Sequence, residues 1–180
     1  MLLLTVVQAI ALHLLGRVWI CECGTVRLWV GDIWSSELSQ QIFDWYTGSH
    51  IVHGILFYGL TRLVLPRAPV MARLIIAVCI EGAWEIAENS PFVIDAYRKQ
   101  ALAAGYTGDS ILNSLMDNVS MMTGFAIARF LPWKATIAVA LALEIGAAML
   151  ARDNLTLNVL NFVHRFPAIE AWQMKAQGRP

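Results

Sequence analysis

The sequence predicts an all-α fold: a membrane-embedded bundle of about five transmembrane helices in one domain over residues 1–180, with an interfacial segment on its outer side. Hydrophobic residues make up 58% of the chain and charged residues only 14%, whereas an ordinary soluble domain has about 25% charged residues. Five apolar stretches are long enough, or nearly so, to cross ~30 Å of hydrocarbon: residues 1–19, 47–65, 73–92, 110–131 and 134–151.

The first stretch, 1–19, has the length of a signal peptide. It lacks a basic segment before its apolar run, and no small-residue cleavage site comes before Val18, Trp19 and Ile20. We therefore predict a retained helix. A sixth apolar run, 155–163, is too short to span and contains Asn158 and Asn161, so we expect it at the interface or as a re-entrant segment.

Basic residues set the predicted orientation. Five of them lie in or beside the short connections that follow the second and fourth helices: Arg62, Arg67, Arg73, Arg129 and Lys134. The positive-inside rule makes these connections cytoplasmic, with the N-terminus inside and the tail 152–180 outside. Four basic residues of that tail argue mildly against this orientation: Arg152, Arg165, Lys175 and Arg179.

The long connection 20–46 is then predicted to face outward. It is rich in aromatic residues, which favour the membrane interface: Trp29, Trp34, Trp45 and Tyr46. Its Cys21 and Cys23 suggest a thiol metal site or a redox pair, but a bridge between two cysteines this close in sequence makes a strained ring, and two ligands alone are a weak metal signal. The alternative is a short turn with reduced or partner-linked thiols.

Three of the predicted helices carry polar stripes. Glu81, Glu85 and Glu88 follow the spacing i, i+4, i+7, which places them on one helix face. His50 and His53 are three residues apart on the second helix, and a third stripe opens the fourth helix: Asp109, Asn113 and Asp117. An ionisable group in hydrocarbon is costly, so these side chains must face the bundle interior.

Depth in the membrane tests whether the stripes meet. Counted from the outer helix ends at 1.5 Å per residue, His53, Glu85 and Asp117 lie roughly 9–12 Å below the surface, with Glu144 near the same level. Glu88, His50 and Asp109 are nearer the surface, and Glu81 is deeper. We expect a polar cavity in the outer half of the bundle. Small residues allow the helices to approach: Gly54, Gly59, Gly82, Ala83, Gly124, Ala126 and Gly146 to Ala148.

Four motifs carry a family resemblance: SHIVHGILFYGL, EGAWEIAENSP, YTGDSILNSLMDN and RDNLTLNVL, with CECGTVRLW near the start. Together they resemble an uncharacterised bacterial family of multi-pass inner-membrane proteins. The resemblance covers nearly the whole chain and implies an integral inner-membrane location but no activity. A His in one helix, a Glu pair in the next and an Asp-rich helix start also look, more distantly, like VanZ-like membrane proteins.

Two interpretations of the polar cluster remain open: a chemical site, or a structural network that joins the helices. In a metal-dependent site, His53, Glu85 and Asp117 would hold a divalent metal whose identity is open, and Glu88 or His50 would be the general base for hydrolysis or transfer on a lipid head group. In a second mechanism, a His beside an acid works without metal.

The other candidate residues also leave alternatives open. A proton or cation path would need Glu81 and Glu144 to extend it inward, and the otherwise apolar inner halves of the helices disfavour one. A non-catalytic binding protein, or a small subunit of a membrane complex, remains the alternative to an enzyme. Arg152 either pairs with an acid or an anionic head group at the cavity mouth, or snorkels at the interface.

Overall fold

The computed structural model describes residues 1–100, 102–103 and 105–175. The last part of the predicted tail, 176–180 with Arg179, lies outside this range. The described residues form eight α-helices and no strand; only an isolated bridge joins Trp29 to Phe43. The helices are α1 Leu2–Leu14, α2 Thr47–Val64, α3 Val70–Glu88, α4 Pro91–Tyr97, α5 Ile111–Phe130, α6 Trp133–Leu150, α7 Leu155–Val163 and α8 Pro167–Met174.

Helix α1 ends five residues before the predicted boundary at residue 19. Gly16 takes a positive φ of 79° and donates its N–H to His13, while the Arg17 N–H reaches Leu12. These two bonds are the Schellman motif that commonly ends a helix at a glycine. Residues 15–19, which were predicted to be part of this helix, lie instead in the connection that runs to residue 46.

The third predicted helix, 73–92, is wrong at both ends. Helix α3 begins at Val70, directly after Pro69, and ends at Glu88. Ser90 then caps the separate helix α4, accepting the Val93 N–H at 3.4 Å, and Pro91 occupies its first position, where a missing N–H is harmless. The other three long helices lie within one residue of their predicted bounds.

Helices α2 and α5 run parallel and make the most extensive interhelical contact. A Cβ atom on Gly54 would overlap the carbonyl oxygen of Met121, and one on Gly124 would overlap that of Ile51. These two glycines were correctly predicted as contact points. Gly59 and Gly146 were not, because a Cβ atom there meets no described atom within 4 Å.

The bundle is polar inside and apolar outside. Glu81 and Glu85 have no exposed surface, whereas Leu63 and Phe130 are each 79% exposed. One described helix, Trp133–Leu150, is long and apolar enough by length and composition to cross a membrane. Helices α2, α3 and α5 have 18 to 20 residues, but they carry the polar stripes, which lower their mean hydropathy.

The connection 20–46 covers the end of the bundle where α2 and α5 begin. Its Gln40 donates to the Gly108 carbonyl at 2.7 Å, and the Gln41 carbonyl accepts from Asn113 at 2.8 Å. Cys21 and Cys23 form a disulfide, so the expectation of reduced or partner-linked thiols is wrong. The bridge closes within the turn Cys21–Gly24, where the Gly24 N–H donates to Cys21.

Candidate functional site

The three polar stripes meet at His50. Its Nδ1 lies 2.6 Å from Glu81 Oε1 and 3.5 Å from Glu85 Oε1 on α3, and its Nε2 lies 3.7 Å from Asp117 Oδ2 on α5. The His50 side chain is only 8% exposed. The predicted meeting of imidazole and carboxylate groups from separate helices is therefore present in the structure.

Glu81 binds both imidazoles. His53 lies one helical turn from His50, and its Nδ1 is 3.1 Å from each carboxylate oxygen of Glu81. An ionised carboxylate only accepts hydrogen bonds, so both rings turn an Nδ1–H group toward Glu81. Glu81 thus fixes the orientation of two bases.

The predicted metal set of His53, Glu85 and Asp117 is wrong in one member. One ligand atom each from His50, Glu85 and Asp117 lie within 4.8 Å of one another, and His53 instead groups with His50 and Glu81. The two histidines differ because His53 stacks on Phe57, with ring centroids 5.8 Å apart, whereas His50 is turned inward. His50, and not His53, therefore lies beside Glu85 and Asp117.

A chain of hydrogen bonds supports Glu85 from behind. Ser114 donates its hydroxyl to Glu85 Oε2 at 2.6 Å, and Gln8 on α1 donates to that hydroxyl at 2.9 Å. Asn118 in turn donates to Gln8 Oε1 at 2.6 Å. This chain leaves Glu85 Oε1 free, and neither this atom nor Asp117 Oδ1 has a hydrogen-bond partner among the described residues.

A second acidic group lies toward the helix ends. Ligand atoms of Glu85, Glu88 and Asp109 are within 4.8 Å of one another. Asp109 accepts hydrogen bonds from Asn89 at 2.6 Å and from the Tyr106 hydroxyl at 2.8 Å. Burial raises the pKa of Asp109 to about 6, although these hydrogen bonds oppose the change.

This shift predicts a pH dependence of stability. Because the pKa of Asp109 rises from an ordinary 3.8 to about 6, the folded protein binds this proton more tightly than the unfolded chain does. The stabilisation that comes from the protonated Asp109 is complete below pH 4 and is lost as the pH rises through about 6. Asp109→Asn keeps an acceptor oxygen for Asn89 and turns an amide N–H group toward the Tyr106 hydroxyl oxygen, so the melting temperature of the variant relative to wild type should rise by about 5 °C between these pH values.

Thermal unfolding in neutral detergent, recorded at half-unit pH steps from 4 to 7, measures this difference. Asp95→Asn is the matched control, because Asp95 lies on α4 with a side chain 68% exposed. Its unfolding curve should stay parallel to that of wild type. A curve for Asp109→Asn that is also parallel to wild type would contradict the burial of a titrating Asp109.

The acids and imidazoles line the floor of a cavity of about 660 Å³. Its volume is in the range of pockets for small molecules. The polar floor holds His50, His53, Glu81 and Asp117, with Glu88, Asp109 and Asp153 higher up. Apolar and aromatic side chains form the walls: Phe57, Ile80, Trp84, Tyr97, Val159 and Phe162.

Two candidate site residues, Asn113 and Glu144, make structural contacts elsewhere in the fold instead of joining the cluster around His50. Asn113 donates to the Gln41 carbonyl and holds the connection 20–46. Glu144 accepts the N–H groups of Leu155 and Thr156, each at 3.1 Å, and so stabilises the N-terminus of α7. Glu144, which depth counting placed at the level of the cluster, therefore lies outside it, and so does Asn113.

Arg152 also has a different partner from the one expected. It donates to the Trp172 carbonyl at 3.0 Å, and its guanidinium lies 5.1 Å from the centre of the Trp172 ring. Arg152 therefore holds α8 against the end of α6. Among the described residues, Arg152 does not form the predicted pair with an acid at the cavity mouth.

Sequence reasoning missed three buried polar residues near the site. Gln8 was the one amide in an otherwise apolar helix, which was the available signal. Asp44 accepts from the N–H groups of Ser39 and Tyr46 at 2.8 and 2.7 Å, and its position three residues before Thr47 resembled a capping pattern. Asp153 accepts from the Tyr46 hydroxyl at 3.1 Å, and burial raises the pKa of Asp153 to about 7.

Comparison with known proteins identifies the family. A family model described as "Protein of unknown function (DUF2585)" matches residues 12–175. A UPF0314 protein of Rhizobium meliloti (strain 1021) is 53% identical over 167 residues, covering 93% of this chain and 85% of that protein. A UPF0314 protein of Sphingopyxis alaskensis is 49% identical over 170 residues, covering 94% of this chain and 90% of that protein. No solved structure matches this chain. The chain is thus bacterial and belongs to the UPF0314 family.

Proposed function

We propose that the protein is a multi-pass inner-membrane enzyme whose cavity opens to the outer side. The apolar exterior supports a bilayer location, because an exposed apolar surface of this extent needs lipid or another protein to cover it. The five basic residues used to predict orientation lie on the helix ends away from His50 and Asp117. With those ends in the cytoplasm, the cavity faces outward. A distant relationship to VanZ-like membrane proteins is part of this proposal and supplies no residue role.

The observation that carries the proposal is the pair of unsatisfied oxygens beside His50. Glu85 Oε1 and Asp117 Oδ1 are buried without hydrogen-bond partners among the described residues, an arrangement that costs free energy unless a cation, a proton or a water molecule satisfies them. Two ligand atoms about 2.1 Å from a tetrahedral ion are about 3.4 Å apart, close to the 3.7 Å between His50 Nε2 and Asp117 Oδ2. We assign His50, Glu85 and Asp117 as ligands of a divalent metal.

The proposed reaction is hydrolysis or transfer at the phosphate of a lipid head group. His50, Glu85 and Asp117 would hold the metal, which would supply Lewis-acid polarisation of a phosphoryl oxygen. His53, which faces the cavity and is oriented by Glu81, accepts the proton of an attacking water or alcohol through Nε2. The attacking oxygen bonds to phosphorus, the P–O bond to the leaving alcohol breaks, and His53 returns the proton to that alcohol. Glu81 is a positioning residue here, and Glu88, the alternative base, is left for another role.

Reconstituted protein tests this proposal. Purified wild type in phospholipid vesicles should contain about one divalent metal per chain by elemental analysis and should release head groups. EDTA should abolish the release, and Mn²⁺ or Zn²⁺ should restore it. His53→Gln should lower the release at least about 100-fold with metal content unchanged. Purified wild type that contains no metal, and that releases no head group even after Mn²⁺ or Zn²⁺ is added, would contradict the proposal.

A second function, a non-catalytic subunit or binding protein, is favoured by the hydrogen-bond chain from Asn118 through Gln8 to Ser114. This chain joins α1 to α5 and reaches α3 at Glu85, as a purely structural network would do. In that case, removing the polar groups lowers stability and changes no turnover. The metal content of folded variants separates the two functions.

A further inference from the structure

The charges lining the cavity have one sign. Five carboxylates face it, at Glu81, Glu88, Asp109, Asp117 and Asp153, and no lysine or arginine is among the described lining residues. Two of them, Glu81 with its imidazoles and Asp117 with the proposed metal, have positive or hydrogen-bonding partners. Glu88, Asp109 and Asp153 remain above the floor as an acidic upper part of the cavity.

Aromatic rings surround this upper part. Tyr97 packs edge to face against Tyr106, with centroids 5.4 Å apart, and against Phe162 at 4.7 Å. Phe162 continues to Trp84 at 6.5 Å. All four rings line the cavity together with Glu88, and the Tyr97 hydroxyl lies close to the Glu88 carboxylate. A row of aromatic rings beside a carboxylate is the environment that binds ammonium groups.

We propose that the head group bound in this cavity carries an ammonium group, held by Glu88 and the rings of Trp84, Tyr97, Tyr106 and Phe162. This inference rests on the proposed function, because the phosphate of the same head group would bind the proposed metal at the floor of the cavity. The ligand class is a zwitterionic amphiphile with an amine and a phosphate. The observations that point to the ammonium group are the carboxyl group of Glu88 and the four aromatic rings that line the cavity beside it.

The charge arrangement also disfavours anionic head groups. A head group with no ammonium would bring a net negative charge next to the carboxyl groups of Glu88 and Asp109, and wherever these groups are ionised the like charges repel in a site of low dielectric. An ammonium group reverses the sign of that interaction. It also gains contact with the ring faces, which attract cations.

Binding of lysolipids with one acyl chain tests the inference. Metal-loaded wild type in neutral detergent is titrated with lysophosphatidylethanolamine and with lysophosphatidylglycerol of the same chain length. We expect at least about tenfold tighter binding of the ethanolamine lipid, which corresponds to about 1.4 kcal/mol. Glu88→Gln and Tyr97→Leu should each reduce the preference below threefold, and Glu22→Gln, an exposed acid outside the cavity, should keep it. Equal binding of both lipids by wild type would overturn the inference, as would a preference that both cavity variants retain.

Free ethanolamine identifies the source of the ammonium group. If it displaces the lysolipid at similar concentrations, the site takes a free amine; if it does not, the site takes the lipid head group. Metal content and head-group release on the same samples separate the two proposals. A lipid preference without metal or release would overturn only the enzyme, whereas metal-dependent release that is equal for both lipids would overturn only ammonium recognition.

Discussion

Replacing Gly124 by alanine should lower the melting temperature by about 10 °C or more. The new methyl group would overlap the carbonyl oxygen of Ile51, which belongs to the backbone of α2 and has no rotamer through which to withdraw. Helices α2 and α5 must then separate. Overpacking costs about 1–3 kcal/mol in ordinary cores, and a rigid backbone contact falls at or above the top of that range.

The same chain offers matched controls. Gly59 on α2 and Gly146 on α6 are also helical glycines, but a methyl group there meets no described atom within 4 Å. Alanine should be neutral at both, or should stabilise by up to about 1 kcal/mol through helix propensity. Gly54→Ala should behave like Gly124→Ala. If the alanine variants of Gly54 and Gly124 had the same melting temperatures as those of Gly59 and Gly146, α2 and α5 would not be in contact.

Asp117→Asn should lower the affinity for the divalent metal at least about 100-fold while the chain still folds. The variant removes one charged ligand, and Asp117 Oδ1 has no hydrogen bond to lose among the described residues. His50→Ala should have a comparable effect on affinity, since His50 lies between both carboxylates. Titration of the metal-free protein measures both affinities. Unchanged affinity in folded Asp117→Asn would remove Asp117 from the ligand set.

Glu81→Gln tests the orientation of the imidazoles. A neutral amide has no negative charge and offers the two Nδ1–H groups one acceptor oxygen in place of two, so metal affinity should fall about 10–100-fold, the usual effect of losing a carboxylate behind a ligating histidine. This smaller loss distinguishes a positioning residue from a ligand. Asp95→Asn serves again as the control outside the cavity, and a loss as large as that of Asp117→Asn would make Glu81 a ligand.

The periodicity of the sequence was sufficient to predict much of the fold and part of the site. Glu81, Glu85 and Asp117 were expected to face one interior, because burying an ionisable group is too costly for any other placement. The spacing of apolar residues predicted the long helices to within a residue or a few. Gly54 and Gly124 were identified because close helix contacts need small residues.

Several features depend on packing that spacing does not encode. His50 and His53 share one face of α2, and only their contacts with Glu81, Asp117 and Phe57 decide which ring turns inward. Depth counting placed Glu144 at the level of the cluster but carried no information on direction. Its carboxylate instead meets the first turn of α7.

Capping chemistry explains the remaining differences. Helix α1 stops at the Gly16 motif and α4 starts at Ser90, both local signals that a search for long apolar runs overlooks. Gln8 and Asp153 join the polar interior through hydrogen bonds to residues more than 100 positions away along the chain. No local pattern predicts such partners.

Anomalous diffraction from crystals grown with Mn²⁺ or Zn²⁺, recorded at the metal absorption edge, tests the metal centre most directly. The expected result is one peak between the side chains of His50, Glu85 and Asp117, at the floor of the cavity. No peak in metal-saturated crystals, or a peak held by other residues with these three left unliganded, would contradict the account.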